Sequence, residues 1–275
     1  MSSLHSIDTT SILPAVLDAA RAVGEILLRA FRDRSDLGIS YKSEGKNNLV
    51  TVMDTRAEAE LKRLLAPLGP FDFIGEESGG EGVDGRAQWV VDPIDGTVNY
   101  AHGLPIWCVS IALVLDGRPI LGVIHSPETD ETYWGTEGGG AFLNGTRLSV
   151  AANDDLGRSL LVTGFPYNID ENPFNAVDAF AAVLKEGIAV RRLGSAALDL
   201  AYVAAGRFDG FWEVALHPWD VAAGILLVRE SGGMVTTYAS EEESRQEIGI
   251  VTDRMLATNG AIHESLLALL LQTHS

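Results

Sequence analysis

The stretch Trp89-Val90-Val91-Asp92-Pro93-Ile94-Asp95-Gly96-Thr97-Val98-Asn99-Tyr100 constrains this chain most. It begins as an apolar, β-prone run and ends in carboxylates. An apolar run of this length bounded by turn residues reads as a buried strand. Proline cannot donate to a sheet ladder, so the strand is expected to end near Pro93. Asp92 and Asp95 then stand about one turn apart just beyond it. Two carboxylates that close repel each other unless a cation neutralises them or they share a proton. Asp oxygens suit Mg²⁺, so a hard divalent metal is the natural resolution. Gly96 lets the backbone approach a ligand closely, and Thr97 supplies a hydroxyl. Together they point to a metal-bound phosphate. Taken alone, the stretch reads equally as a strand leaving into an Asp-rich turn capped by Thr97.

The chain has 275 residues, of which 46% are hydrophobic. That is enough for one large α/β domain or two packed halves. No apolar run is long enough for a bilayer-spanning helix. Met1 to Thr10 lacks a basic region followed by an apolar core, so no signal peptide is expected. Cys108 is the only cysteine. A single thiol forms no disulfide framework and fits a reducing cytoplasm. It lies in an apolar run, where core packing is the expected role. The net charge of −18 opposes nonspecific binding to nucleic acid. It does not oppose a small phosphorylated substrate, because a bound metal inverts the local field.

Along the chain, residues 12 to 31 carry apolar side chains at helical spacing, from Leu13 and Val16 to Leu27 and Phe31. Leu49 to Val52 reads as a short strand. Asp54 opens a second helical pattern, as its N-cap or as a catalytic carboxylate. Phe71 to Gly75 reads as a strand entering Glu76-Glu77-Ser78. Gly80 to Gly85 fits G-x-G-x-x-G, yet it is acidic where a pyrophosphate would lie and no helix follows, so a dinucleotide site is rejected. Strands are expected at Val109 to Leu115, Ile120 to His125 and Glu131 to Gly135, as an antiparallel meander. Ala141-Phe142-Leu143 followed by Asn144-Gly145 reads as a hairpin. Leu156 to Gly164 is expected to be a strand, and residues 166 to 173 a polar loop dividing two halves, 1–165 and 166–275, of one compact unit. A helix over 174–185, strands at Val190 to Leu193 and Asp209 to Glu213, and helices at Ala196 to Ala205 and Val221 to Glu230 follow. A strand near Arg254 to Thr258 and a terminal helix complete the chain. Asp220 again reads as an N-cap or a ligand.

Loop-borne acids thus recur at strand ends or helix starts: Asp54, Glu76, Asp92 with Asp95, and Asp220. Ligands of α/β folds gather at the carboxyl ends of strands. Phe73-Ile74-Gly75-Glu76-Glu77-Ser78, the Asp92-Pro93-Ile94-Asp95-Gly96-Thr97 run and Trp219-Asp220-Val221-Ala222-Ala223-Gly224 resemble the signatures of the inositol monophosphatase family, in the same order. Its members are Mg²⁺-dependent, lithium-sensitive phosphatases.

The resemblance implies a layered αβαβα sandwich of the sugar-phosphatase type, α+β or α/β in class, and a homodimer. It implies two or three Mg²⁺ ions per site. Glu76, Asp92 and the Ile94 carbonyl would hold the first ion, and Asp92, Asp95 and Asp220 the second. Glu76 would also hold a third. Thr97 with Asp54 would position and activate water. The Gly96 and Thr97 amides would hold phosphate, and Gly194, Ser195, Ala196 and Glu213 would contact the polyol, Asp220 lying beside them. Two metals can clamp the attacking and leaving oxygens of an in-line displacement, so a covalent phosphoenzyme is not needed. His102 and His217 are expected to support the site rather than react. Asn48 stands where many members have Asp, which bears on the third ion, and Lys42 is the candidate basic residue of that loop. The implied reaction is hydrolysis of myo-inositol 1-phosphate by metal-activated water. The rival substrates are histidinol phosphate, fructose 1,6-bisphosphate and 3′,5′-bisphosphorylated nucleosides. A regulatory protein-binding module with vestigial catalysis is the rival of a different class. No nucleic acid or membrane partner is expected.

Overall fold

The computed structural model describes residues 7–34, 37–41, 49–80, 85–240, 248–250 and 253–274. Asn48, Lys42 and most of the rejected glycine loop lie outside the described residues. Helix α1 (Thr9–Asp33) is capped by Asp8, whose side chain accepts from the Thr10 and Ser11 amides. It buries Val16, Ala20, Val23 and Leu27, a stripe at intervals of three and four residues. The short strands β1 (Ser40–Tyr41) and β2 (Leu49–Val50) pair antiparallel. Helix α2 (Val52–Leu65) starts earlier than expected, because Thr51 is its N-cap and Asp54 its third residue. The Thr51 hydroxyl accepts from the Met53 amide, and the Asp54 carboxylate reaches back to the Thr51 amide at 2.8 Å.

A seven-stranded sheet has the order β3 (Asp72–Gly75), β4 (Gln88–Asp95), β5 (Cys108–Leu115), β6 (Arg118–Ser126), β7 (Glu131–Thr136), β8 (Gly140–Leu143) and β9 (Thr146–Arg147). Only β3 and β4 run parallel; the rest is the antiparallel meander that the sequence predicts. Asn144 and Gly145 close the β8–β9 hairpin with φ of 48° and 84°, as a two-residue turn of this kind requires. Between β4 and β5 lies the short helix α3 (Thr97–His102).

The second sheet is mixed. Its order is β11 (Ala189–Arg191), β10 (Leu160–Thr163), β12 (Gly210–Val214), β14 (Arg254–Thr258) and β13 (Met234–Thr236). Helices α4 (Ala176–Lys185), α5 (Ala196–Ala204), α6 (Pro218–Glu230) and α7 (His263–Leu271) complete the described α-helices. The strand expected from Leu156 is shorter, because Asp155 caps a 3₁₀ turn at Leu156–Arg158 and pairing, with β11, begins at Leu160. Strand β13 was not expected; three residues on a sheet edge carry too little alternation to read.

The period of two in the strands builds the layers. In β5, Val109, Ile111 and Leu113 face α1 and α2, whereas Cys108, Ala112 and Val114 face α5 and α6. In β12, Phe211 faces that same central layer, and Trp212 and Val214 face α4 and α7. The result is an αβαβα sandwich with three apolar layers. Cys108 is fully buried, as expected.

Candidate active site

The sequence places Asp92 and Asp95 on one strand end, and a bulge makes them neighbours. Asp92 pairs with Ser110 and Asp95 with Cys108, so β4 carries one residue more than β5 between these pairs. Strand β4 therefore continues through Pro93 instead of ending there, and the proline sits in the slip, where no ladder donor is needed. The extra residue also inverts the alternation. Ile94 turns to the outer core with Trp89 and Val91. Asp95 comes to the same side as Asp92, facing the central layer and a cleft of about 1010 Å³. A regular strand would have buried Asp95 among the outer apolar side chains.

Oxygens of Asp92, Asp95 and Asp220 lie within 4.8 Å of one another. Asp220 is delivered by α6, capped by His217, as the third residue of that helix; its carboxylate accepts from the His217 amide at 2.7 Å. Glu76 lines the same cleft from the end of β3 but stands outside this triplet. Asp92 accepts from the Ile94 amide at 2.9 Å. Asp95 is held from behind by the second half of the chain: the Ser195 hydroxyl and the Ala197 amide donate to its Oδ2, the latter at 2.8 Å. The Cys108 thiol donates to the same oxygen at 3.7 Å.

Burial pushes the carboxyls of Asp92, Asp95 and Asp220 above the ordinary range, and the neighbouring acids push the same way. For Asp95 the Ser195 and Ala197 hydrogen bonds oppose the rise. Three carboxylates, two of them buried and all crowded by neighbouring acids, fit a hard divalent cation. Glu213 at the end of β12 is raised to about 8 by burial and the charge of Asp95, with Arg192 opposing.

Asp54 reaches the site from α2. It is fully buried, and burial raises its carboxyl to about 6. Its Oδ2 is occupied by the Thr51 amide and hydroxyl at 2.8 and 2.7 Å. Its Oδ1 lies 3.1 Å from the Thr97 hydroxyl, which also lies 2.9 Å from the Ile94 carbonyl. Thr97 has one hydroxyl proton and so two alternative acceptors. The Ile94 carbonyl that the resemblance assigns to a metal is one of them. Gly96 makes the turn into α3 with φ of 93°, and a Cβ there would stand 2.9 Å from the Ile106 carbonyl.

Gly194, Ser195, Ala196 and Glu213 all line the cleft, as do His102 and His217. His217 stacks on Trp219 at 4.8 Å, forming wall as well as cap. Three contributors were not anticipated. Asn99 donates from Nδ2 to the Ile106 and Leu193 carbonyls, each at 2.8 Å, stitching α3 to the segment before α5. Arg192 brings a guanidinium to the wall, 5.8 Å from the Phe165 ring centre. Tyr167 lines the cleft from the loop after β10. Arg192 stands two residues before the small-residue turn at Gly194, a hint the sequence offered; Asn99 and Tyr167 gave none.

A layered α/β sandwich with an acid triplet lining a central cleft defines a class. The sequence model of the inositol monophosphatase family matches residues 8–275, and the chain belongs to that family. It is 41% identical over 260 residues to an inositol-1-monophosphatase from Mesorhizobium japonicum, covering 94% of this chain and 95% of that protein. It is 39% identical over 259 residues to Nus factor SuhB of Escherichia coli, covering 94% of each. The solved inositol monophosphatase of Anabaena superposes with a TM-score of 0.82 at 39% identity, covering 96% of both chains.

Proposed function

We propose that the chain is a Mg²⁺-dependent phosphomonoesterase that hydrolyses myo-inositol 1-phosphate to inositol and phosphate. The observation that carries this reading is the Asp92–Asp95–Asp220 triplet facing a cleft that Glu213 and Arg192 also line. Asp92, Asp95 and Asp220, with Glu76 beside them, would hold the metal. Bound there, Mg²⁺ would supply positive charge for the phosphate oxygens and acidify water.

The chain's own groups do the rest. The Asp54 carboxylate accepts the Thr97 proton, which leaves the Thr97 oxygen free to accept from a water and orient it. The Gly96 and Thr97 amides at the start of α3 would face the phosphate oxygens. Ser195 and Ala197 fix Asp95, so that its remaining oxygen is presented to the cleft. Glu213, held largely neutral below about pH 8 by its burial, can both accept from and donate to ring hydroxyls, which favours a polyol. Lithium sensitivity is part of the same reading.

The test is a phosphate-release panel with Mg²⁺, with and without Li⁺, on inositol 1-phosphate, histidinol phosphate, fructose 1,6-bisphosphate and a 3′,5′-bisphosphonucleoside. Inositol 1-phosphate should rank first. A far lower rank than any other would overturn the substrate choice.

A second reading rests on the similarity to proteins named Nus factor SuhB: a regulatory protein that binds a protein partner. The full set of acids with Thr97 and Asp54 favours the enzyme, because binding a partner gives no reason to keep costly buried carboxylates.

A further inference from the structure

We infer that Glu58, a residue outside the cleft, is a positioning residue that sets the metal affinity of the site by clamping the loop that carries Glu76. This rests on the metal-site reading above. Glu58 is 4% exposed. It lies four residues after Asp54 on α2, hence on the same helix face. Its two oxygens accept from the Glu77 and Ser78 amides, each at 2.8 Å.

The loop is built around this carboxylate. Gly75 and Gly79 form an antiparallel bridge, with the Gly75 amide donating to the Gly79 carbonyl at 3.2 Å and the reverse bond at 2.9 Å. The bridge closes residues 76–78 into a tight turn with two amides directed at Glu58. A Cβ on Gly75 would stand 2.2 Å from Glu58 Oε2, so the glycine is what admits the carboxylate. Glu76 is the first residue of that turn, and its amide donates to the Val91 carbonyl at 3.2 Å, one residue before Asp92. Glu76 is thus tied to β4 on one side and to α2 on the other.

One helix therefore serves two parts of the site. Asp54 holds the Thr97 hydroxyl, and Glu58, a turn later, holds the Glu76 loop. Bonds to buried charged acceptors are among the stronger ones, and groups that orient metal ligands from behind commonly change affinity about 10- to 100-fold when removed. In Glu58→Gln, one end of the side chain becomes an NH₂ facing a backbone N–H. The clamp then keeps one acceptor and gains a donor–donor clash.

Glu230 supplies the control. It makes the same chemical clamp, accepting from the Gly138 and Gly140 amides at 2.7 Å each, but neither it nor those glycines line the cleft. A purely structural role for Glu58 would make the two variants behave alike.

The experiment uses the full chain stripped of metal. Mn²⁺ binding is followed by electron paramagnetic resonance, thermal midpoints are taken with and without Mg²⁺, and phosphate release is measured against Mg²⁺. Glu58→Gln should raise the Mn²⁺ Kd about tenfold or more, with a metal-free midpoint close to that of Glu230→Gln. Its phosphate release should recover as Mg²⁺ is raised. Glu58→Asp, which withdraws the carboxylate by one methylene, should raise the Kd in the same direction and serves if the Gln variant does not fold. A parental Kd in the Glu58 variants, or a rise no larger than in Glu230→Gln, overturns the inference. A parent that binds neither Mn²⁺ nor Mg²⁺ overturns the metal-site reading itself.

Discussion

The Thr97 hydroxyl oxygen lies 3.1 Å from Asp54 Oδ1, across 43 residues of sequence, and joins the start of α3 to the first turn of α2. Asp54 has its other oxygen filled by Thr51, so Oδ1 is the one left to take a proton. Thr97→Ala should lower kcat about a hundredfold or more, the usual scale for losing a positioned proton acceptor–donor pair. Thr97→Ser keeps the hydroxyl and should retain most of the rate. Steady-state phosphate release on both variants checks this; an unimpaired Thr97→Ala would remove the pair from the reaction.

On the proposed reading, Glu213 reads the alcohol rather than the phosphate. Glu213→Ala should raise KM for a polyol phosphate about 3- to 10-fold, the worth of one or two net hydrogen bonds, with kcat nearly unchanged. Equal losses in kcat and kcat/KM would instead put Glu213 in the chemical step.

Asn99 is 8% exposed and reaches two carbonyls on separate segments. Asn99→Ala leaves both carbonyls without their donor and should destabilise the fold by about 1–3 kcal/mol. Chemical denaturation would register the loss, and an unchanged midpoint would show that water replaces the amide.

His263 is buried between the Thr236 and Thr258 hydroxyls, each 2.9 Å from a ring nitrogen. Burial lowers its pKa from 6.5 to about 4. The unfolded chain then binds the proton first as pH falls, so the stability contributed by neutral His263 is complete above about pH 6.5 and is lost towards pH 4. The loss should be on the order of 2–3 kcal/mol. Urea melts of parent and His263→Gln at pH 7.5, 5.5 and 4.5 should show a shallower decline in the variant. Parallel declines would exclude His263 as the cause.

The sequence carried much of this site, for a physical reason. Acids at strand ends and helix starts are dense in chemistry and short in range, and Asp92, Asp95, Glu76 and Asp220 all reach one cleft. What was hidden depended on geometry that no local pattern encodes. Pro93 signalled a strand end, yet a one-residue bulge carries β4 past it and turns Asp95 inward. Asp54 and Asp220 read as caps or as site acids; Thr51 and His217 take the cap position and the acids fall in the first turn. Glu58 and Asn99 bond to backbone groups of distant segments, and a backbone partner leaves no trace in side-chain spacing. The layers were more legible, since the alternation along β5 and β12 states which face meets which helix.

On the proposed reading, Asp92, Asp95 and Asp220 hold the metal that makes this chain a phosphatase. The deciding measurement is phosphate release from inositol 1-phosphate as Mg²⁺ is titrated into the metal-stripped parent and into Asp95→Asn. The parent should be inactive without metal and rise to saturation, whereas Asp95→Asn should stay near the baseline at every Mg²⁺ concentration. Release by the parent that ignores chelation, or parental release by Asp95→Asn, would contradict the account.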